Sequence, residues 1–442
     1  MKDTIYALAT ILGKSGVAVI RVSGEQAKQC LDAFKIILPQ ERYAHYCKLY
    51  HLSGDVIDHG LVFFFQGPRS FTGEDVIEFH VHGGRAVIQA CLNQLSSISG
   101  YRLAEPGEFS KRAFLNGKMD LTQAEGLADL IEAETDMQRK QAVRQMEGGL
   151  LHLYEDWRHQ LMTIQMLVEA HIDFPEEEIP TDVLDRMRLQ LADLCAVISR
   201  HLQDGSRGER VRRGLRIAIL GAPNVGKSSL LNLLANQEVA IVSEIAGTTR
   251  DVLEVHLDLQ GYAVSLVDTA GIRAKTDDVI EQEGIKRATK VAEDADILLI
   301  MCEATSPLES QLKPFERYLG SRPLILVNKV DLVSRGSTDV KDERVLRIST
   351  RTTEGIDRLL TTLAEEIQQR YQVSNEPIIT RTRYRETLVS VLKMLMELNL
   401  ENPIELVAED LRYAASSLGR ITGKIDVEDI LGRIFSEFCI GK

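Results

Sequence analysis

The chain has 442 residues, 44% of them hydrophobic and 26% charged, with a formal net charge of −13. Such a length predicts about three domains of ordinary size, and the apolar-to-charged balance predicts a soluble globular protein. The acidic excess excludes a protein that is basic overall, so any RNA contact has to use a local patch or a partner's surface. Six cysteines, at 30, 47, 91, 195, 302 and 439, show no Cys-x-x-Cys spacing, which argues against zinc and a disulfide framework and for a reducing cytosol. The start, Met1-Lys2-Asp3-Thr4-Ile5-Tyr6-Ala7, lacks the regions of a signal peptide, and no apolar run approaches the roughly 18 residues of a membrane span. The expected location is cytoplasmic, with no membrane span.

Residues 1–118 alternate short β-like runs with turns: Val17–Val22, Leu61–Phe65 and Val76–His82, separated by Gly24, Gly67-Pro68 and Gly83-Gly84, with a helix over Ala86–Leu95. This pattern predicts an α+β domain. In the third run a period of two puts Ile77, Phe79 and Val81 on one face and Glu78, His80 and His82 on the other. Two readings stay open for the polar face, a metal site or a strand face lining a cleft or solvent. The second is preferred because no fourth ligand is evident.

From Asp120 the period becomes helical. Residues 119–213 read as the first part of a helical domain: a long pattern from Leu121 to about Ile172 with a pause at Gly148-Gly149, an acidic Pro-bounded turn at Asp173–Pro180, and a helix from Asp182 to about His201. Gly205–Gly214, rich in Gly and Arg, reads as a linker.

Residues 214–372 read as a P-loop domain inserted into the helical one. Gly221-Ala222-Pro223-Asn224-Val225-Gly226-Lys227-Ser228 fits G-x-x-x-x-G-K-[ST], between an apolar strand-length run (Leu215–Leu220) and a helical one (Ser229–Leu234). Glycines let the backbone approach phosphates, and the unpaired N–H groups of a helix start supply donors. Lys227 is expected on the β/γ-phosphates and the Ser228 hydroxyl on Mg²⁺. Asp268-Thr269-Ala270-Gly271 follows a strand, where the carboxylate reaches Mg²⁺ through water and Gly271 offers an N–H to the γ-phosphate. Asn328-Lys329-Val330-Asp331 follows another strand. Asp331 accepts from N1–H and the exocyclic amine of guanine, whereas adenine would leave it unpaired at a cost of about 1–3 kcal/mol, so the base is guanine. Ser349-Thr350-Arg351 offers an N–H to guanine O6. Between the first two elements, Ile245-Ala246-Gly247-Thr248-Thr249-Arg250-Asp251 reads as a switch loop, with Thr249 completing the Mg²⁺ shell while the γ-phosphate is present. The predicted nucleotide contacts are therefore Asn224 to Ser229, Ser243, Glu244, Ile245 to Thr249, Asp268 to Gly271, Asn328, Lys329, Asp331, and Ser349 to Arg351.

Together these elements resemble the TRAFAC-class GTPases. Ile272 stands where Ras-like members carry the glutamine that orients water, so base and charge neutralisation have to come from elsewhere. In the similar GTPases a K⁺ ion, recruited when two G domains meet, replaces the arginine finger. The matching positions here are Asn224, Ser243, Ile245 and Thr248. The same resemblance points to Glu281 as the base, with Glu283 as the alternative because this stretch is one residue longer than the pattern.

Residues 373–442 return to helix after a hinge at Ser374-Asn375-Glu376-Pro377, with apolar periodicity over Thr387–Leu398, Ile404–Leu418 and Asp426–Phe438. These are expected to form a bundle with the helices of 120–201. The tail, Phe438-Cys439-Ile440-Gly441-Lys442, together with Ser70–Val76 and Pro106–Asn116, closely resembles the MnmE (TrmE) family of tRNA-modification GTPases, and the likeness spans the whole chain. It implies an N-terminal folate-binding-like domain that dimerises, hence a homodimer, a central helical bundle and an inserted Ras-like domain. It also implies action with a flavin (FAD)-dependent partner of the MnmG (GidA) family. The pair would add an aminomethyl or carboxymethylaminomethyl group to C5 of the wobble uridine of certain tRNAs, from 5,10-methylene-tetrahydrofolate (or, as ligand, its 5-formyl analogue). Arg21, Glu78, Lys118 and Lys442 match the family's folate contacts, with cations for the folate carboxylates and Glu78 for pterin N–H donors. For Cys439 two readings stay open: a thiolate adding to uridine C6, or a small apolar residue seating the tail. The alternative function is a ribosome-assembly GTPase, which leaves the folate-type domain unexplained.

Overall fold

The computed structural model describes residues 3–173, 181–237, 239–241, 254–268, 289–333, 342–372, 376–400, 402–425 and 428–442. The chain divides into two compact units, Met1–Ala128 with Gln145–Cys195 and Ser390–Lys442, and Asp129–Arg144 with Ala196–Val389. The expected acidic turn at 173–180 lies almost wholly outside the described residues, as do three of the residues at the expected 374–377 hinge and its approach.

In the first unit, β1 (Thr4–Leu8), β2 (Ala18–Ser23), β3 (His45–Tyr50), β4 (Val56–Phe65), β5 (Val76–Val81) and β6 (Tyr101–Leu103) form one sheet in the order β3-β4-β5-β2-β1-β6, with α1 (Gln29–Ala33), α2 (Arg85–Ser96) and α3 (Glu108–Leu115). All neighbours are antiparallel except β1 and β6. Alternation sends Ile20, Val22, Ile77, Phe79 and Val81 into a core with Phe34 and Leu95. The opposite face of the same strands pairs Arg21 with Glu78 and Val19 with His80 in register. Under this face runs a polar network: Arg102 and Arg112 both reach Glu108 Oε1 (2.6 and 3.0 Å), Arg112 also reaches Glu74 Oε2 (3.0 Å), and Ser23 donates to Glu74 at 2.8 Å.

The helices differ from expectation in two places. The pattern from Leu121 breaks at 133–135 as well as at Gly148, giving α4 (Leu121–Glu132), α5 (Asp136–Met146) and α6 (Gly149–Asp173). The side-chain oxygen of Gln138 accepts from the N–H groups of Glu134 and Thr135 (3.0 and 3.1 Å), which caps the new helix start. The second difference is a correction: 205–213 is not a linker, because α7 runs unbroken over Thr181–Arg213. Tertiary partners hold it helical: Gln141 donates to the Gly208 carbonyl (2.9 Å), Arg212 pairs with Asp129 (2.8 Å), and Arg210 and Arg213 pair with Asp296 (3.0 and 3.2 Å).

The second unit carries β7 (Leu215–Gly221), α8 (Lys227–Ala235), β8 (Glu254–Leu259), β9 (Tyr262–Asp268), β10 (Ile297–Glu303), α9 (Leu308–Leu312), α10 (Glu316–Leu319), β11 (Leu324–Asn328), β12 (Val345–Arg347) and α11 (Ile356–Tyr371). Strand order is β12-β11-β10-β7-β9-β8, parallel except for β8. Parallel strands are covered on both faces, and β10 is accordingly buried from Ile297 to Cys302. Leu266, Leu299 and Ile219 pack in one cluster with Leu359 and Leu363, and Leu298 and Ile300 in another. The strand ends that matter are then Gly221, Asp268, Glu303 and Asn328, all at the carboxyl edge, where ligands bind in open α/β sheets.

The C-terminal helices are α12 (Thr382–Glu397), α13 (Ile404–Thr422) and α14 (Glu428–Ser436). Within the first unit α13 lies antiparallel on α6, with Thr422 bonded to Glu155 (2.9 Å) and Arg412 to Glu169 (3.0 Å). The α14 stripe of Leu431, Ile434 and Phe435, with Phe438, is buried on Leu121, Ala124 and Ala128 of α4 beside Phe114 of α3. The last helix therefore seats the tail against the N-terminal fold.

Burial alone would raise the Glu108 carboxyl, but hydrogen bonds from Arg102, the Glu105 N–H and Arg112 outweigh it and hold it down at about 2, from an ordinary 4.5. A depressed carboxylate contributes stability that is complete above the unfolded value and lost as pH falls through the folded one. Between pH 4.5 and about 2, the wild type is expected to lose stability more steeply than Glu108→Gln. Urea titrations at a series of pH values check this; parallel acid limbs would contradict it.

Candidate functional site

At the end of β7 the chain turns through 222–226 into α8. Gly226 has φ 111°, and a Cβ there would lie 2.3 Å from Asn328 Nδ2, so only glycine fits. The Lys227 ammonium, buried at the start of α8, donates to the carbonyls of Gly221 (2.9 Å) and Ala222 (2.8 Å), curling over the loop it will serve. Ser228 Oγ donates to Asp268 Oδ2 at 2.8 Å, which unites β9 with the first turn of α8. A hydroxyl and a carboxylate at a helix N-terminus make an all-oxygen set that suits a hard cation such as Mg²⁺. Asn224 is exposed in a left-handed conformation (φ 61°), and Ser229 is exposed one residue past Ser228.

Asn328 ties two loops together. Its Nδ2 donates to the Val225 carbonyl (2.8 Å), and its Oδ1 accepts from the Thr350 N–H (3.0 Å). Ser349 Oγ donates to Asp331 Oδ1 (2.7 Å) and accepts from the Arg351 N–H (3.3 Å), so the Asp331 carboxylate is oriented from one side. The structure thus brings Asn224 to Ser229, Asp268, Asn328, Lys329, Asp331 and Ser349 to Arg351 to one edge of the sheet. Thr269, Ala270, Gly271 and Ile272, the residues Ser243 to Thr249, and Glu281 and Glu283 lie outside the described residues.

Glu303, which sequence reasoning did not single out, ends β10 beside these residues. Its Oε2 lies 2.8 Å from Lys329 Nζ. A signal existed, a lone carboxylate closing the apolar run Ile297–Cys302, but its meaning depends on the parallel register that sets Glu303 beside Asn328.

A second constellation lies in the N-terminal fold. Arg21 Nε donates to Glu78 Oε1 (2.8 Å), its guanidinium overlies the rings of Phe71 (5.2 Å) and Phe109 (5.6 Å), and its NH1 reaches the Gly441 carbonyl at 3.5 Å. Burial works to raise the Glu78 carboxyl, but His80 (3.3 Å) and Arg21 together hold it below its ordinary range. The tail is fastened by its backbone: Ile440 bridges to Pro106, the Cys439 carbonyl accepts from Gly107 (3.4 Å) and that of Lys442 from Phe109 (3.2 Å). Gly441 has φ 96°, and a Cβ there would lie 2.4 Å from the Leu8 carbonyl. Cys439 is exposed. Lys118 stands on the turn after α3, beside Gly73 of the loop that carries Phe71. Of the four predicted contacts, then, Arg21 and Glu78 meet directly, Lys442 arrives with the tail at the start of α3, and Lys118 borders the Phe71 loop. The open sheet face continues into a cavity of about 380 Å³ lined by Val17, Tyr46, His59, Leu61, His80 and His82. His82 pairs with Asp58 (2.8 Å), and among the described residues no three His, Cys, Asp or Glu side chains converge as metal ligands.

Comparisons with known proteins bear on both constellations. The family described as "GTP-binding protein TrmE N-terminus" matches residues 4–118, and the "MnmE helical domain" family matches 121–439. The tRNA modification GTPase MnmE of Parvibaculum lavamentivorans is 49% identical over 450 residues, covering 100% of both chains. That of Paramagnetospirillum magneticum is 47% identical over 445 residues, again covering 100% of each, and that of Wolbachia sp. subsp. Brugia malayi is 46% identical over 444, covering 100% of this chain and 99% of its own. Among solved structures, the G domain of the T. maritima FeoB iron transporter aligns with 35% of this chain and 99% of its own at 24% identity and a TM-score of 0.27, too low a likeness to argue from. The relatives and the helical-domain match each span most or all of the chain, so it belongs to the MnmE family of tRNA-modification GTPases and is itself a GTPase.

Proposed function

We propose that this GTPase acts in tRNA modification at the wobble uridine. With an FAD-dependent partner of the MnmG (GidA) family, it adds an aminomethyl or carboxymethylaminomethyl group to C5, using the one-carbon unit of 5,10-methylene-tetrahydrofolate. The observation that carries this reading is the tail: a chain that also holds a P-loop fastens Cys439 and Lys442 to α3, next to the Arg21–Glu78 pair.

In the G domain, backbone N–H groups of the loop and Lys227 would bind the β/γ-phosphates, Asp331 would read guanine, and Ser228, Thr249 and Asp268 would hold Mg²⁺. Mg²⁺, when bound, neutralises phosphate charge. Asn224, Ser243, Ile245 and Thr248 would hold K⁺, which would supply the charge of an arginine finger, and Glu281 or Glu283 would orient the attacking water. In the N-terminal fold Glu78 accepts from pterin N–H groups, while Arg21, Lys118 and Lys442 meet the folate carboxylates. Bound folate supplies the carbon. Cys439 is exposed next to Phe438, which is 6% exposed, and this contrast favours a role at the site over a packing role. Val17, Tyr46 and Leu61 are exposed and line the cavity beside the open sheet face with apolar surface, which supports a homodimer closing over it. No described helix is long and apolar enough to cross a membrane, and a cytoplasmic location is in keeping with that.

GTP turnover is expected to run roughly ten- to a thousandfold faster in KCl than in NaCl, a part of what an arginine finger supplies, and Asn224→Ala should remove the difference. Equal rates in the two salts for the wild type would sink the cation argument. Cells lacking the protein are expected to lose the modified wobble nucleoside, as read by mass spectrometry of digested tRNA. Reintroducing Cys439→Ser separates the readings of the thiol: restoration means packing, and absence of product with the tail still bound means chemistry. A purified protein without affinity for reduced folates, or one whose affinity survives Glu78→Gln unchanged, would remove the folate site.

A further inference from the structure

Lys329 is the residue of the guanine pocket with the most freedom to miss it. Its stem has four methylenes, and an ammonium is a compact, strongly hydrated charge that fixes no geometry by itself. Glu303 is, by contrast, tightly held. The Gln311 side chain accepts from the Glu303 N–H (2.8 Å) and donates to its carbonyl (2.9 Å) and to that of Ser306 (3.0 Å). Ser306 Oγ donates to Glu303 Oε1 at 3.2 Å. Oε2 is turned to Lys329 Nζ at 2.8 Å. The two main chains are joined as well: Glu303 and Asn328 are register partners, and the Ala304 N–H donates to the Asn328 carbonyl at 2.8 Å. Lys329 itself has a left-handed backbone (φ 64°), which fixes where its stem sets out between Asn328 and Asp331.

Each member of this ion pair is 32% exposed, and exposed pairs contribute little to stability. A surface bridge made for stability has no use for a carboxylate locked through its own backbone and a serine hydroxyl. We infer that Glu303 is a positioning residue of the guanine pocket: it anchors the Lys329 ammonium so that the lysine stem is already laid beside Asn328 and Asp331 when the base arrives. The hydroxyls of Ser306 and Thr305 and the Lys329 ammonium keep the carboxylate ionised, with Lys329 the largest influence. The inference rests on the proposed guanine pocket of Asn328, Lys329 and Asp331 and is independent of the tRNA and folate chemistry.

Removing the anchor transfers the cost of ordering the lysine to the binding step, a loss of about two- to tenfold in affinity for one immobilised side chain. Because the base end is common to both nucleotides, GDP and GTP weaken by the same factor. The test is fluorescence titration of the full chain with guanine nucleotides, alongside steady-state GTP hydrolysis, for Glu303→Gln, Glu303→Asp, Lys329→Met and the Glu303→Gln/Lys329→Met double variant. Expected are a KM increase for Glu303→Gln with kcat within about twofold, partial rescue in Glu303→Asp, and a double variant no weaker than Lys329→Met, since two residues acting as one unit are not additive. Unchanged affinity, additive losses, weakening of GTP alone, or a fall in kcat at constant KM would each overturn the inference. Should Glu303→Gln fail to fold by circular dichroism, Glu303→Asp decides: its charge is kept and its reach shortened, so weakened binding of both nucleotides supports the anchor and wild-type binding refutes it.

Discussion

Where β7 turns into α8, the backbone presents N–H groups that no helical carbonyl can satisfy. The parallel sheet is what makes this turn useful, because it delivers the ends of β9, β10 and β11 to the same edge and so surrounds those donors with Asp268, Glu303 and Asn328. The cross-links then run between loops rather than within them: Ser228 to Asp268, Asn328 to Val225 and Thr350, and Ser349 to Asp331. Loss of any one strand from the order would leave a loop without its partner. The apolar character of β7 and β10, buried on both faces, is therefore a condition for the site and not merely for stability.

The N-terminal fold solves a different problem, a polar pair on the open face of an antiparallel sheet. Arg21 and Glu78 are register partners on neighbouring strands, and the guanidinium overlies two phenyl rings and reaches a backbone carbonyl contributed by the tail. That carbonyl comes from a residue 420 positions away in sequence. The tail is not held by its side chains alone; β-bridge and helix-start hydrogen bonds fix its main chain, and the aromatic stripe of α14 brings it there. This leaves Cys439 exposed on a segment whose backbone is ordered.

Features encoded by a few adjacent residues were legible in the sequence. The strand, glycine turn and helix around Lys227 are local, and so is the alternation that puts Glu78 opposite Phe79. The features that misled were those where distant partners override local chemistry. Glycine and arginine at 205–213 read as a linker, yet the helix continues because Arg210 and Arg213 find Asp296 and Arg212 finds Asp129, each about eighty positions away. Glu303 escaped notice for the same reason, since its partner lies 26 residues on and only the strand register sets the two side by side. The break at 133–135 depends on a single glutamine turning back on the chain, which apolar periodicity does not register.

One feature unites the two sites: charged groups proposed to meet a ligand are already engaged with the protein. A lysine that is 4% exposed, such as Lys227, could not be left bare in the fold, because an uncompensated buried charge is strongly destabilising. Two of its partners are the neutral carbonyls of Gly221 and Ala222, and exchanging those for phosphate oxygens would gain charge-assisted hydrogen bonds. Arg21 is in another position. Its partner is already a carboxylate, and replacing it by a ligand carboxylate gains little in Coulomb terms. Preference for the proposed ligand at that site then has to come from what surrounds the pair: Phe71, which is only part-buried beside the guanidinium, and Glu78, which can receive N–H donors without giving up Arg21, since His80 and Arg21 occupy different carboxylate oxygens.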